Sequence, residues 1–109
     1  MLKRLYRLSA VIKLKPANVF HAQFFVLYVA QNQLVYNRYG FIVSKKVDKR
    51  AVVRNKIRRK MSHCVENLLT QVKNGYDMRF FIKKAAMEKE TELLCVSIKT
   101  LLISEKLLK

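Results

Sequence analysis

A basic, amphipathic helix is written into the middle of this chain. From Val53 onward apolar residues fall at Val53, Ile57, Met61, Cys64, Val65, Leu68 and Val72, the three-and-four spacing of one helix face. Interleaved with them, nine of the sixteen positions from 45 to 60 are Lys or Arg, against a single acid, Asp48. Asn55, Lys56, Arg59, Lys60 and His63 project from the other faces, so one side of the helix belongs to a core and the other to a partner. Such a density of like charge repels itself unless a polyanion lies close. Asp48 is placed to cap the helix or complement its positive end, with residues 51–53 as its first turns.

The rest of the charge supports that reading over a merely solvated basic face. Residues 1–65 carry 15 Lys and Arg with one acid, whereas residues 66–109 carry eight with six acids, within a formal net charge of +16. The first two thirds of the chain is therefore the binding portion. A membrane surface, an acidic protein or a nucleic acid would each attract it; neutralising several phosphates, with release of their counterions, is the commonest use of such a balance.

With 109 residues, of which 51% are hydrophobic, two are Gly and one is Pro, one compact domain spanning 1–109 is expected. It comprises a basic N-terminal segment, 1–18, and a basic helix region, 45–72. The stretch from Leu8 to Leu14 is interrupted by Lys13, unlike a secretory signal, and no apolar run approaches the roughly 20 residues that span a bilayer. A soluble, cytoplasmic protein without membrane contact is the expectation. Cys64 and Cys95 lie in apolar helical patterns, which predicts small buried thiols rather than a zinc site or a disulfide.

Along the chain, Ser9 starts a short helix over residues 10–15 that Pro16 stops. The basic residues there, Lys3, Arg4, Arg7, Lys13 and Lys15, are either backbone-contacting charges or a solubilising lead-in. Residues 24–31, FFVLYVAQ, are rich in aromatic and branched side chains and read as a strand. Alternation places Phe25, Leu27 and Val29 on one face and Phe24, Val26, Tyr28 and Ala30 on the other. Residues 34–44 supply a return strand, which makes a hairpin, and a short extra strand fits near residues 19–21. On the return strand Phe41 and Val43 share one face, and Gly40, Ile42 and Ser44 the other. Asn74 and Gly75 end the basic helix. A strand follows to Lys83, with Met78, Phe80 and Ile82 alternating, and then an amphipathic helix from Glu88 to about Leu102, apolar at Leu93, Leu94, Val96, Ile98, Leu101 and Leu102. The sum is an α+β fold, a two-layer α/β sandwich of helices against a small sheet.

Catalytic chemistry is poorly supplied. Hydrolysis by a protein site needs paired carboxylates, a metal cluster or an activated nucleophile. Here no carboxylate precedes Asp48, His21 and His63 are the only imidazoles, and two glycines make no phosphate loop. No catalytic and no metal-ligating residue is expected. His63, on the polar flank of the helix, either meets a phosphate or base or simply faces solvent.

Two blocks carry a specific resemblance: Gly40-Phe-Ile-Val-Ser-Lys-Lys46, and Arg50-Ala-Val-Val-Arg-Asn-Lys-Ile-Arg-Arg59. Together they resemble the signature of the protein subunit of bacterial ribonuclease P, whose helix carries an Arg-Asn-Arg core. The likeness extends over about residues 20–105, through the strand at Phe25-Val-Leu-Tyr28 and the lead Gly75-Tyr-Asp77 into the later strand. It implies a ribosomal protein S5 domain 2-like fold, with a small mixed sheet and a left-handed βαβ crossover through the basic helix; periodicity alone implies the commoner right-handed one.

The resemblance also implies a subunit that binds a catalytic RNA and the 5′ leader of precursor tRNA and assists the RNA-catalysed removal of that leader. Magnesium would be bound by the RNA and at the interface, with no cofactor on the protein and no obligate protein partner. Carried onto this chain, Lys45, Lys46, Arg50, Arg54, Asn55, Lys56, Arg58 and Arg59 would face the catalytic RNA. Arg forks hold phosphate in bidentate fashion, Lys acts as a point charge, and Asn55 both donates and accepts. Phe24, Val26, Tyr28 and Ile42 would contact the leader through stacking and apolar contact. For Tyr28 the residues alone favour a half-buried core aromatic.

Two positions depart from the family pattern. Lys56 stands in place of the second Arg of the core, keeping charge but losing the fork. The stretch from Leu8 to Asn18 is shorter than the family's first helix and lacks its phenylalanines. The rival readings are a structural RNA-binding protein of the ribosomal type, without precursor-tRNA specificity, and a DNA binder that uses the basic helix in a major groove.

Overall fold

The computed structural model describes residues 2–15 and 17–109. Four strands, β1 (Asn18–His21), β2 (Phe25–Gln31), β3 (Arg38–Ile42) and β4 (Tyr76–Ile82), form one mixed sheet in the order β1-β2-β4-β3. Two helices, α1 (Ala51–Glu66) and α2 (Thr91–Ser104), pack on one side of it. Strands β1 and β2 pair antiparallel, as do β2 and β4, whereas β3 and β4 run parallel and are joined through α1. The α+β architecture expected from the pattern is present.

The expected hairpin between residues 24–31 and 34–44 does not form. Strand β4 inserts between its two arms and is buried on both faces, Asp77 and Arg79 on one and Met78, Phe80 and Ile82 on the other, as only a central strand allows. Met78, Phe80 and Ile82 point into the core beside Phe25, Leu27 and Val29, while Phe81 faces the other way between Val26 and Ile42. The antiparallel partner of β2 on its free side is the short β1. The return strand begins only at Arg38; before it the buried Asn37 ties the chain to the segment leading into β4, its Nδ2 donating to Tyr39 Oη and the Lys73 carbonyl and its Oδ1 accepting from the Tyr76 amide.

Other boundaries also move. Helix α1 stops at Glu66, with Asn67 as its C-cap, eight residues before Asn74, because the C-terminal tail competes for the backbone that follows. Val72 bridges Leu108, Lys73 N donates to Leu107 O, and Lys109 N donates to Gln71 O. Gly75 does adopt the left-handed conformation, φ 94°, but in the lead into β4. The helix expected over residues 10–15 is absent from those residues; Ser9 closes only a turn to Ile12, and Pro16 lies outside the described residues. Helix α2 begins at Thr91 and buries Leu94, Ile98 and Leu102, leaving Leu93 and Val96 exposed.

The cysteines overturn the free-thiol expectation. Met61, Cys64, Val65 and Leu68 of the α1 region meet the apolar side of α2. That packing brings Cys64 and Cys95 to a Cα–Cα distance of 4.9 Å, where they form a disulfide. Spacing in the chain gave no sign of it, since the pairing depends on how the two helices cross.

Candidate nucleic-acid interface

Helix α1 turns Ile57, Met61, Cys64 and Val65 inward, and the opposite arc is solvent-exposed at Val52, Asn55, Lys56, Arg59 and His63. Of the residues expected to face RNA, Asn55, Lys56 and Arg59 therefore share one outward surface, and Lys45 and Lys46 are exposed on the turn after β3. Arg58 leans toward β3 and donates to Asn55 Oδ1. Together Asn55, Arg58 and Arg59 form one wall of a groove of about 330 Å³, with Leu8, Gly40 and Phe41 on its other side and Arg7 at its rim.

The remaining two arginines are engaged within the protein. Arg54 Nη1 donates to the carbonyls of Asp48 and Lys49, at 3.0 and 2.8 Å, and so fastens the loop that enters the helix. Arg50 is the N-cap residue and pairs with Asp48 at 3.0 Å. The hydrogen bond from Arg50 holds the Asp48 carboxyl down at about 2, and the same bond raises Arg50. Asp48 thus acts through an accepted bond from the Arg50 amide, 2.8 Å, rather than as the N-cap itself.

The outer face of the sheet, away from the helices, is ordered by strand register. One row runs His21, Val26, Phe81, Ile42, and the next Val19, Tyr28, Arg79, Gly40. Tyr28 and Phe81 rings touch with centroids 4.7 Å apart, and Val26, Tyr28, Ile42 and Phe81 are half-buried. Val26, Tyr28 and Ile42 are thus on one face, as alternation requires. Phe24 is not. It occupies the two-residue turn between β1 and β2, where Ala22 N donates to Phe25 O, and its side chain folds into the core at 3% exposure. A third row holds Arg38 and Asp77, joined by two hydrogen bonds of 2.8 and 2.6 Å, which raise Arg38 further.

The N-terminal segment joins the two surfaces. Arg7 bridges Tyr39 in parallel, Leu8 N donates to Tyr39 O at 2.8 Å, and Arg7 Nε donates to Leu2 O. Leu2 and Leu8 are buried. A Cβ on residue 40 would stand 3.1 Å from the Leu8 carbonyl oxygen, so glycine there lets the segment lie down on the sheet. His21, Arg79 and Phe81 were not expected at the site, and Arg7 was left open between a backbone-contacting charge and a solubilising one. Phe81 and Arg79 were legible as residues out of phase with Met78, Phe80 and Ile82; Arg7 carried no signal beyond its charge. Among the described residues no three His, Cys, Asp or Glu side chains gather as a metal site would require, and no helix is long and apolar enough to cross a membrane.

The family model for Ribonuclease P matches residues 2–105. The chain belongs to the ribonuclease P protein family. Within that family it is 40% identical over 90 residues to the ribonuclease P protein component of Clostridium kluyveri, covering 81% of this chain and 80% of that one. To the component from Thermoanaerobacter sp. (strain X514) it is 35% identical over 85 residues, 78% of this chain and 72% of the relative. The solved structure of the Staphylococcus aureus RNase P protein superposes with a TM-score of 0.74 at 25% identity, covering 84% of each chain. The Thermotoga maritima RNase P protein shares the fold, with a TM-score of 0.72 at 20% identity over 78% of this chain and 80% of that one.

Proposed function

We propose that this chain is the protein subunit of ribonuclease P, binding the catalytic RNA and the 5′ leader of precursor tRNA while the RNA, with its magnesium ions, cleaves the bond. The convergence of Asn55, Arg58, Arg59 and Arg7 on one groove, whose Gly40 edge adjoins the aromatic sheet face, supports this reading most. The exposed arc of α1, with Lys45 and Lys46, offers charge to a structured RNA; guanidinium forks and ammonium groups neutralise phosphates and release counterions. Tyr28 and Phe81 with Val26 and Ile42 offer stacking and apolar contact to unpaired nucleotides, which a folded RNA helix cannot use. The protein contributes affinity and position.

The test adds the purified chain to an in vitro transcribed ribonuclease P RNA at low magnesium and follows leader removal from precursor tRNA. Stimulation of cleavage is expected. Tight RNA binding with no stimulation would instead support the ribosomal type of structural RNA binder.

A further inference from the structure

Arg79 sits in the middle of the sheet at 7% exposure, and its Nε has no hydrogen-bond partner. Its Nη2 donates 2.8 Å to the Ser9 main-chain carbonyl. The carboxylate two residues away, Asp77, is taken up by Arg38 and Asn32. A buried guanidinium held by one neutral carbonyl is costly, and its unmet demand is for an anion. The orphan Nε lies 3.7 Å from the point where a Gly40 Cβ would stand, and Gly40 lines the groove that holds Arg7, Arg58 and Arg59. On its other side Arg79 is in register with Tyr28.

We propose that Arg79 is a phosphate-binding residue for single-stranded RNA, and that the Ser9 carbonyl occupies the phosphate-oxygen position in the free protein. The strand's backbone would run from Arg59, Arg58 and Arg7 past Gly40 to Arg79, delivering the next bases to Tyr28 and Phe81. A phosphate oxygen replaces a neutral acceptor with a charged one, turning a single bond to a carbonyl into an ion pair that the guanidinium fork can hold with two donors. Entry of the strand then displaces the Ser9 carbonyl from Arg79, while Leu8 stays held by the Tyr39 carbonyl. This rests on the proposed leader-binding role of the sheet face and adds to it the residue that holds the backbone.

The test uses the full chain with a 12-nucleotide single-stranded RNA, measured across salt concentrations, for wild type, Arg79→Gln and Arg79→Lys. Gln removes the charge but ends where the Arg79 Nε stands, short of the Ser9 carbonyl that Nη2 reaches, so the salt slope, which a loosened segment alone does not move, is the deciding readout. Arg79→Gln should bind about tenfold more weakly and lower the slope of log K against log salt by about 0.7, the share of one phosphate on a single strand. Arg79→Lys should keep the slope. An unchanged slope in Arg79→Gln overturns the proposal and leaves Arg79 as a tether for the N-terminal segment. A second arm uses the holoenzyme and precursor tRNAs carrying one uncharged methylphosphonate linkage in the leader. One linkage should weaken wild type but not Arg79→Gln. If the slope changes as expected while no leader linkage matters to wild type, Arg79 still binds phosphate and the leader-binding reading fails instead.

Discussion

Reducing the disulfide between Cys64 and Cys95 should lower the melting temperature by about 16 °C while leaving RNA affinity nearly unchanged. The bond links residues 31 apart in sequence, and in the chain-entropy account a loop of that size removes about 3.7 kcal/mol worth of freedom from the unfolded chain. For a chain of 109 residues the unfolding entropy at the midpoint is about 0.23 kcal/mol/K, and the ratio gives the shift. Affinity is spared because Cys64 faces α2, whereas Asn55, Lys56 and Arg59 occupy the opposite, exposed arc of α1. The assay is a pair of thermal melts, with and without a phosphine reductant, alongside a thiol count in denaturant and RNA binding at 20 °C. Air-oxidised protein should show no free thiol and reduced protein two. A shift of under about 3 °C, less than 0.7 kcal/mol by the same conversion, would refute the loop argument. Two titratable thiols in oxidised protein would remove the cross-link altogether. In a reducing compartment the pair stays as thiols, so the reduced melt is the relevant one wherever the chain meets such conditions.

Further outcomes follow from single side chains. Arg59→Ala, on the exposed arc, should lower the salt slope for ribonuclease P RNA by about one phosphate's share, whereas Arg54→Ala should also loosen the loop at Asp48 and Lys49, visible as faster amide exchange there. Tyr28→Ala should weaken precursor tRNA more than mature tRNA in the holoenzyme; equal losses return Tyr28 to a packing role. Arg38→Met leaves the buried Asp77 carboxylate with Asn32 as its one remaining side-chain donor and should cost about 2–3 kcal/mol, read as a lower urea midpoint at constant m. The Asp48 carboxyl should titrate near 2 by NMR. Because its folded value lies below the ordinary 3.8, the link to Arg50 is intact above that pH and is lost as the pH falls through 2; a midpoint at 3.8 would show the pair does not persist in solution.

The helix at the centre of the chain was legible because two independent patterns coincide there. The three-and-four apolar spacing marks Ile57, Met61, Cys64 and Val65 as buried, and the same register leaves Asn55, Lys56 and Arg59 outside. Strand faces were legible for the same reason: a period of two separates Phe25, Leu27 and Val29 from Val26 and Tyr28 without reference to any partner. Pairing was not. Nothing local to residues 34–44 says that another strand, more than thirty residues on, will separate them from β2. Phe24 was misplaced because alternation holds only where the chain is extended, and a two-residue turn breaks it. The disulfide was missed because it depends on the crossing of two helices distant in sequence.

The site shows where such reasoning loses its grip. Charge density picked out the candidate interface, but did not show which guanidiniums also hold the protein's own loop. Arg50 and Arg54 are as basic as Arg59, yet Arg54 is tied to two carbonyls of the loop before the helix, while Arg50 pairs with Asp48 and keeps its side chain largely exposed. Arg7 and Arg79 lie outside the basic run: Arg7 meets the groove because Gly40 lets the N-terminal segment rest on the sheet, and Arg79 reaches the sheet face through the register of β4. Gly40→Ala therefore bears on the whole arrangement. Its Cβ would sit 3.1 Å from the Leu8 carbonyl oxygen, tight enough that the segment must shift by a few tenths of an ångström. If the segment is what aligns Arg7 with Arg58 and Arg59, this one methyl group should weaken single-stranded RNA more than ribonuclease P RNA, whose proposed contacts lie on the exposed arc. Equal weakening of both would mean that the groove and the arc are read as a single surface.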